Sequence, residues 1–300
     1  MPKQDIVVVG ASAGGVEALR ILASGFPVGL DAAVFVVLHI GTGTDGYSAL
    51  PEILTKAGPL PSHHPRNGDE IRNRHIYVAR PDCHMLLEPG KIRVVDGPKE
   101  NRTRPAINPL FRSAATAYGS RVTGVILSGL LDDGVAGLAE IKRRGGVAIV
   151  QDPSTALFPS MPCNAIQHVD ADYITPINEI AGVISKLAVQ ERSGAEVEEP
   201  VKQTLLEQKC PDCSGPLWEQ RQGKIVEYRC RIGHVYSPLT LKEVYDEAVE
   251  QSLRTAMVTL IESARLEDRL APELDRDKAQ QPQKKRDHAE VIRQLLDHEH

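Results

Sequence analysis

Short apolar runs alternate with amphipathic stretches over the first 190 residues. The runs are rich in β-branched residues and lack polar interruptions, as in strands buried on both faces, whereas the stretches between them have apolar residues at helical spacing. The pattern predicts strands at residues 6–9, 32–38, 122–127, 147–150 and 173–174. It predicts helices at residues 16–22, 108–118 and 178–187, and two further helices that end near residue 56 and at residue 144. Strands that alternate with helices predict a doubly wound, mostly parallel α/β sheet.

Residues 60–98 depart from this alternation. Short strands are predicted at 71–79, 84–88 and 91–95, with a hairpin turn at Pro89-Gly90 between the last two. We expect an antiparallel insertion on the edge of an otherwise Rossmann-like sheet. Asn108 is predicted to cap the helix that follows, with Pro109 at its first position.

The composition changes near residue 190. Residues 1–189 contain the alternating pattern, and residues 190–204 are polar and acidic, which predicts a linker. Residues 205–238 contain two pairs of metal-ligand residues. Residues 239–300 have a helical pattern and a high density of charge, and nothing in the sequence identifies a partner for them.

Charge and hydrophobicity exclude several classes of protein. The 300 residues contain 35 Lys plus Arg against 40 Asp plus Glu, a net charge of −5, which does not suit a nucleic-acid partner. The longest apolar run, 32–38, is too short for membrane insertion, and the N-terminus lacks the features of a signal peptide. We therefore expect a cytoplasmic protein, in which the five cysteines are thiols or metal ligands rather than disulfides.

Four of these residues have the spacing of a zinc site. Cys210-x-x-Cys213 and Cys230-x-x-x-His234 are two tight pairs separated by an intervening segment, which is typical of a zinc ribbon. Four protein ligands leave no open coordination position, so the predicted zinc is structural. We expect no cofactor for catalysis.

A serine, a histidine and an aspartate follow three different predicted strands. Ser12 follows the first strand in a glycine turn, His39 ends the second, and Asp133 lies just beyond the strand at 122–127. The carboxyl ends of parallel strands share one edge of the sheet, where ligands bind. A nucleophile, a base and an orienting carboxylate are the groups that acyl transfer needs. Each residue also has a structural interpretation, as a turn residue, a strand end or a helix cap, and the pattern alone leaves both open.

Two other enzyme folds fit this turn less well. The spacing Gly10-x-x-x-Gly14-Gly15 is similar to a dinucleotide-binding turn, but His39 stands where an acidic residue would contact the ribose. Gly10-x-Ser12-x-Gly14 fits the nucleophile elbow of α/β-hydrolases, but it lies on the first strand and the order of the three residues differs. A nucleotide-binding protein or a non-catalytic scaffold is the competing class of function.

Several ordered stretches resemble the catalytic domain of the chemotaxis protein-glutamate methylesterases, the CheB type. The matching stretches are Gly10-Ala-Ser-Ala-Gly-Gly15, the strand end at His39, Pro81-Asp-Cys-His-Met85, Asn101-Arg-Thr-Arg-Pro105, Gly124-Val-Ile-Leu-Ser-Gly129, Asp133-Gly134 and Phe158-Pro-Ser-Met-Pro162. The resemblance covers residues 5 to about 188. It implies hydrolysis of glutamate γ-methyl esters on a methylated chemoreceptor or similar signalling protein, with glutamine deamidation as a second activity.

The resemblance also implies roles for single residues. Ser12 would be the nucleophile, His39 the base and Asp133 the orienting acid, whereas Asp132 would face solvent or cap the next helix. The backbone N–H groups of Ala13 and Leu130 would bind the oxyanion, and Gly14, Gly15 and Met161 would line the pocket.

Three departures from the family bear on substrate and regulation. Ala13 stands where members usually have Thr, and the loop after His39 lacks the usual Met-Pro run. The first predicted strand begins at Asp5, so we expect no receiver domain and regulation either from another molecule or not at all.

Overall fold

The computed structural model describes residues 5–39, 48–190, 199–270 and 281–297. It divides into two compact units, Met1–Thr240 and Leu241–His300. The strands are β1 Ile6–Ala11, β2 Ala33–Leu38, β3 Ser62–His63, β4 Ile76–Val78, β5 His84–Glu88, β6 Lys91–Val95, β7 Val122–Ile126, β8 Val147–Gln151, β9 Tyr173–Thr175, β10 Lys202–Lys209, β11 Pro216–Gln222, β12 Ile225–Cys230 and β13 Val235–Tyr236. The helices are α1 Gly15–Ser24, α2 Leu50–Ala57, α3 Ile107–Tyr118, α4 Val135–Arg143, α5 Ser160–His168, α6 Ile177–Val189, α7 Pro238–Leu270 and α8 Gln281–Asp297.

Seven parallel strands form the central sheet, in the order β3-β4-β2-β1-β7-β8-β9. This order confirms the predicted doubly wound, mostly parallel sheet. The chain winds outward from β1 through β2 on one side and later through β7 on the other. The boundary between β1 and β7 is therefore a topological switch point, where doubly wound sheets bind their ligands.

Both faces of the sheet are covered, which is why its strands are apolar throughout. Val7 and Val9 of β1 pack in one cluster with residues of α1, α2 and α6. Ile6 and Val8 point to the opposite face and pack with α3, α4, α5 and the hairpin. The alternation of side chains along a strand thus divides one uninterrupted apolar run between two cores.

The insertion at 60–98 is predicted in part. The hairpin is confirmed, because β5 and β6 pair antiparallel from His84↔Val95 to Glu88↔Lys91 as a separate two-stranded sheet. The strand predicted at 71–79 is shorter, Ile76–Val78, and it pairs parallel to β2 inside the main sheet. The prediction of an antiparallel strand there was wrong. A short buried strand has the same apolar sequence pattern whether it pairs parallel or antiparallel to its neighbour, so the pattern does not give the direction of pairing.

A second sheet follows the first. The strands β10, β11, β12 and β13 form an antiparallel sheet that carries the Cys and His residues; we call residues 199–240 the Cys/His module. The last three residues of the predicted linker, 202–204, lie in β10, and 191–198 lie outside the described residues. β10 is almost entirely exposed, so its composition gave no sign of a strand.

The module belongs to the same compact unit as the catalytic candidates. This differs from the sequence-based expectation of a separate module behind a linker. The contacts responsible join residues far apart in sequence, such as Arg112 with Glu227 and Asn101 with Ser237. Spacing along the chain carries no information about such pairs.

In the second unit, the described residues lie in the two helices α7 and α8. Its residues in α7 and α8 bury Ala264, Ala289 and Leu296, and Lys285 bonds both Ser263 and Glu267. Among the helices that the structure describes, none combines the length and apolarity needed to cross a bilayer.

Candidate active site

Ser12 lies in the turn between β1 and α1, at the switch point of the sheet. Its N–H donates to the carbonyl of Ser128 at 3.0 Å, and its own carbonyl accepts from the N–H of Gly15 at 2.8 Å. Gly14 has a φ of 71°, in the left-handed region that glycine adopts without strain. A Cβ at Gly14 would lie 2.9 Å from the Ser128 hydroxyl oxygen, so close packing also requires glycine there. Backbone hydrogen bonds therefore hold the turn, and the Ser12 hydroxyl is not needed to maintain it.

His39 directly follows β2, next to Ser12. Its N–H donates to the carbonyl of Ala11 at 3.1 Å, so the ends of β1 and β2 are held side by side. The ring places Nδ1 3.2 Å from Oγ of Ser12 and Nε2 2.9 Å from Oδ2 of Asp133. With the ring proton on Nε2, which donates to the carboxylate, Nδ1 accepts from the hydroxyl. The arrangement is that of a nucleophile, a base and a group that orients the base.

Asp133 accepts hydrogen bonds on both oxygens. Oδ2 accepts from His39 and, at 2.6 Å, from the N–H of Ile107. Oδ1 accepts from the side-chain amide of Asn101 at 3.0 Å and from the N–H of Asn108 at 3.4 Å. The N–H groups of Ile107 and Asn108 belong to the first turn of α3, where the helix dipole favours a negative charge. The carboxylate is thus fixed in position by groups other than the imidazole.

These donors decide the charge of Asp133. Burial alone would raise its pKa, but the hydrogen bond and charge of His39, with the donors Ile107 and Asn101, hold the pKa below its ordinary value. The group is therefore ionised at neutral pH. Because the folded-state pKa is lowered, the stabilisation is present above the ordinary pKa of an aspartate, and it is lost as the pH falls through the folded-state value.

Asp132 has a different environment from its neighbour. It is buried, and its Oδ1 accepts from the hydroxyl of Ser237 at 2.6 Å. Burial raises the pKa of Asp132, and the Ser237 hydroxyl partly opposes the shift. The prediction that Asp132 faces solvent or caps α4 was wrong, because α4 follows Gly134 and has no side-chain cap. Asn108 likewise does not cap α3: it lies inside the helix, and its Oδ1 accepts from the N–H of Gly137 at 2.7 Å.

The predicted oxyanion donors lie in the two turns that meet at Ser12. Ala13 follows Ser12 directly, and Leu130 lies in the turn after β7, with Leu131 in the left-handed region at φ 60°. In the described part of the chain, neither the Ala13 nor the Leu130 N–H donates to a backbone carbonyl. Neither N–H group is therefore paired with a carbonyl of the described residues.

Met161 supports this turn from below. It is fully buried, and a Cβ on Gly129 would lie 2.6 Å from its Cε and 2.9 Å from the Ser12 Cβ. Met161 thus lies beneath Gly129 rather than on the pocket surface that the resemblance implied.

Of the two glycines predicted to line the pocket, Gly15 is buried, whereas Gly14 is partly exposed beside Ser12. The residues that follow His39, 40–47, lie outside the described residues.

The structure brings the four predicted metal ligands together. Their ligand atoms all lie within 4.8 Å of one another. Sγ of Cys230 is 3.6 Å from Sγ of Cys213 and 3.5 Å from Nδ1 of His234, and Sγ of Cys210 is 3.6 Å from the same nitrogen. Tetrahedral zinc with ordinary bond lengths would place two sulfurs about 3.8 Å apart, and a sulfur and a nitrogen about 3.5 Å apart. The donor set and its spacing therefore fit this ion.

Groups around the ligands complete the fit. Nε2 of His234 is 3.9 Å from Oδ2 of Asp212, which also accepts from the Tyr236 hydroxyl at 2.6 Å. A carboxylate behind a ligating imidazole orients the ring. Burial raises the pKa of Cys230, but the N–H groups of Gly233 and His234 contribute to lowering it to about 7.

Sequence reasoning gave no role to three polar residues around the site. Asn101 contacts Asp133, Ser237 contacts Asp132, and the hydroxyl of Thr103 lies 3.4 Å from Nε2 of His39. The only available signal was that Asn101 and Thr103 fall within a stretch that resembles the family.

Comparison with known proteins identifies similar catalytic domains. The sequence model of the CheB methylesterase family matches residues 7–184. A curated relative from Leptospira interrogans is 35% identical over 184 residues, which are 61% of this chain and 94% of that protein. Protein-glutamate methylesterase/protein-glutamine glutaminase 2 of Anaeromyxobacter dehalogenans is 36% identical over 61% of this chain, but the match spans 53% of that protein.

A solved structure agrees with the sequence matches. The CheB methylesterase catalytic domain of Thermotoga maritima superposes with a TM-score of 0.58 at 30% sequence identity, over 62% of this chain and 99% of that one. The matches confirm the resemblance stated from the sequence, and the family model ends at residue 184, before the Cys/His module.

Proposed function

Because the chain belongs to the CheB methylesterase family, we propose that it hydrolyses glutamate γ-methyl esters, with Ser12, His39 and Asp133 as the catalytic residues. The observation that carries the proposal is the continuous contact from the Ser12 hydroxyl through the imidazole to a buried carboxylate, at the switch point of the sheet. The same contacts weigh against the nucleotide-binding alternative, since both ring nitrogens of His39 contact protein side chains, Ser12 and Asp133.

The reaction follows from the positions of these groups. Nδ1 of His39 removes the proton from Ser12 as Oγ attacks the ester carbonyl, and Asp133 stabilises the imidazolium that forms. The N–H groups of Ala13 and Leu130 would bind the developing oxyanion. The imidazolium then protonates the departing methoxide, which leaves as methanol. Water, deprotonated by the same nitrogen, releases glutamate and restores the serine. An amide would react in the same way with ammonia as the leaving group, which would account for glutaminase activity.

A methylated signalling protein is the proposed partner. The names of the curated relatives and the family support this class of substrate. The test is release of methanol from a chemoreceptor cytoplasmic fragment carrying radiolabelled methyl esters, with deamidation of glutamines followed by mass spectrometry. No methanol release from an enzyme whose Ser12 still reacts with a fluorophosphonate probe would reject the substrate and retain a serine hydrolase.

We also propose that Cys210, Cys213, Cys230 and His234 hold a structural zinc ion. The fit of their spacing to a tetrahedral site supports zinc, and the absence of an open position among four protein ligands supports a structural role.

Cys210→Ser is expected to lose bound zinc and to lower the melting temperature, because structural zinc contributes folding free energy to the segment that binds it. The measurement is the zinc-to-protein ratio by elemental analysis, together with thermal unfolding. Cys163→Ser is the matched control, since Cys163 is an exposed free cysteine. An unchanged zinc ratio in Cys210→Ser would remove this residue from the ligand set.

A further inference from the structure

One short loop contacts both the candidate triad and the Cys/His module. The loop is Glu100-Asn-Arg-Thr103, which we call the Asn101 loop. It closes on itself through the N–H of Thr103, which donates to the carbonyl of Glu100 at 2.9 Å, and Asn101 and Arg102 both adopt left-handed φ values, 47° and 64°. The loop is therefore a tight, defined turn rather than an open connection.

The side chain of Asn101 is bonded at both ends. Its Oδ1 accepts from the N–H of Ser237 at 2.7 Å, and its Nδ2 donates to Oδ1 of Asp133 at 3.0 Å. An amide that accepts on one side must present its donor on the other, so the N–H of Ser237 fixes which end of Asn101 faces the carboxylate. The backbone of Asn101 is held as well, because its N–H donates to the carbonyl of Val235 at 2.8 Å.

The residues that hold Asn101 belong to the strand beside the metal-ligand cluster. Val235 and Tyr236 form β13, directly after His234. The carbonyl of His234 accepts from the N–H of Cys230 at 3.1 Å, and the Tyr236 hydroxyl lies 3.5 Å from Sγ of Cys210. The strand that bonds Asn101 is therefore itself in contact with the metal-ligand cluster.

A buried ion pair ties the same loop to the module a second time. Arg112 donates to Oε1 of Glu100 at 2.6 Å and to Oε1 of Glu227, on β12, at 3.1 Å. All three side chains are largely buried, so the guanidinium neutralises two carboxylates that face each other across it. The loop is thus fixed against the module at both its first and second residues.

We propose that Asn101 is a positioning residue, through which the Cys/His module holds Asp133 in the orientation that His39 needs. The proposal rests on the proposed esterase function. Without the Asn101 amide, Oδ1 of Asp133 would retain only the N–H of Asn108, at 3.4 Å, so the carboxylate would be held mainly through Oδ2, by Ile107 and by His39 itself. Misplacement of a catalytic group by about 1 Å costs up to about 10²-fold in rate. The module therefore contributes to turnover without touching the substrate.

The test compares two asparagines that each donate to an aspartate. Asn101→Gly removes the amide while keeping the left-handed backbone unstrained, and it is expected to lower kcat on the methylated receptor fragment by about 10- to 100-fold with KM unchanged. Asn73→Gly is the control, since exposed Asn73 donates to Asp31 at 3.0 Å, and it should retain wild-type turnover. If Asn101→Gly fails to fold, Asn101→Asp decides instead, with a loss of kcat again expected, because it keeps the shape of the side chain but replaces the donor beside Oδ1 of Asp133 with a second carboxylate. Wild-type kcat in the folded variant would overturn the proposal, as would a loss confined to KM.

A double-mutant cycle tests whether the module acts through Asn101. The measured quantity is the rate constant for labelling of Ser12 by a fluorophosphonate probe, which needs an activated serine but no particular substrate. Cys210→Ser should slow labelling in the full chain, and adding Asn101→Gly should slow it little further, because both changes break the same connection. Losses that multiply would overturn the connection. A wild-type protein that is labelled but cleaves no methyl ester would reject the substrate alone, whereas an unlabelled wild-type protein would reject the triad and this inference together.

Discussion

Replacing Ser12 with alanine is expected to abolish ester hydrolysis and to leave the fold intact. The substitution removes the atom that would form the acyl-enzyme, so turnover should fall by at least about 10⁴-fold. The turn itself depends on the N–H and carbonyl of Ser12, which bond Ser128 and Gly15 and are unaffected. Among the described residues, the lost hydroxyl has one hydrogen-bonding contact, at 3.2 Å with Nδ1 of His39, so the free energy of unfolding should change by no more than about 1 kcal/mol.

The measurement is methanol release from the methylated receptor fragment, with the melting temperature recorded for the same preparation. Ser185→Ala is a suitable control, because Ser185 lies in α6 and its hydroxyl donates to the carbonyl of Ala181 within that helix. It removes a hydroxyl of the same kind from a helix that supplies none of the three catalytic residues, and it should retain wild-type turnover. Near wild-type hydrolysis by Ser12→Ala would disprove the nucleophile assignment.

The parts of the fold that could be predicted are those encoded in local patterns. Buried strands appear as apolar runs, and the hairpin is marked by Pro89-Gly90 between two short runs. The meeting of Ser12, His39 and Asp133 also follows from pattern, because each comes at the end of a parallel strand in one sheet. Knowing which edge of the sheet binds ligands was sufficient to bring together residues from three separate segments.

The contacts that could not be predicted are specific pairings between distant segments. Asn101 and Ser237 are separated by 136 positions, and neither a period nor a motif connects them. Asn108 has the composition of a helix cap, but its side chain bonds the backbone of a neighbouring helix instead. A polar residue near a helix end satisfies a local or a distant partner equally well, and only packing decides between them.

Replacing Asp133 with asparagine is expected to have the second large effect on turnover, unlike the same change at the adjacent Asp132. Asp133→Asn keeps the shape of the side chain, but it replaces an acceptor of four hydrogen bonds by a group with one acceptor and one donor. If the amide nitrogen takes the place of Oδ2, the N–H of Ile107 and the imidazole both face a donor, and the ring favours the wrong tautomer. If it takes the place of Oδ1, the amide of Asn101 and the N–H of Asn108 face a donor instead, and the carboxamide loses the contacts that position it. In a serine protease the equivalent change costs about 10⁴-fold. An ester is an easier substrate, so we expect a loss of roughly 10- to 10⁴-fold in kcat.

Asp132→Asn should have a much smaller effect, because the contacts of its side chain differ. The amide oxygen of an asparagine still accepts from the Ser237 hydroxyl, which is the contact that buried Asp132 makes in the native structure. Because the pKa of Asp132 is raised by burial, removing its charge also removes an unfavourable buried ion. Turnover of both variants on the same methyl ester distinguishes the roles of the two acids. A crippled Asp132→Asn beside an active Asp133→Asn would mean that the carboxylate contacting His39 in this structure is not the one that orients it during catalysis.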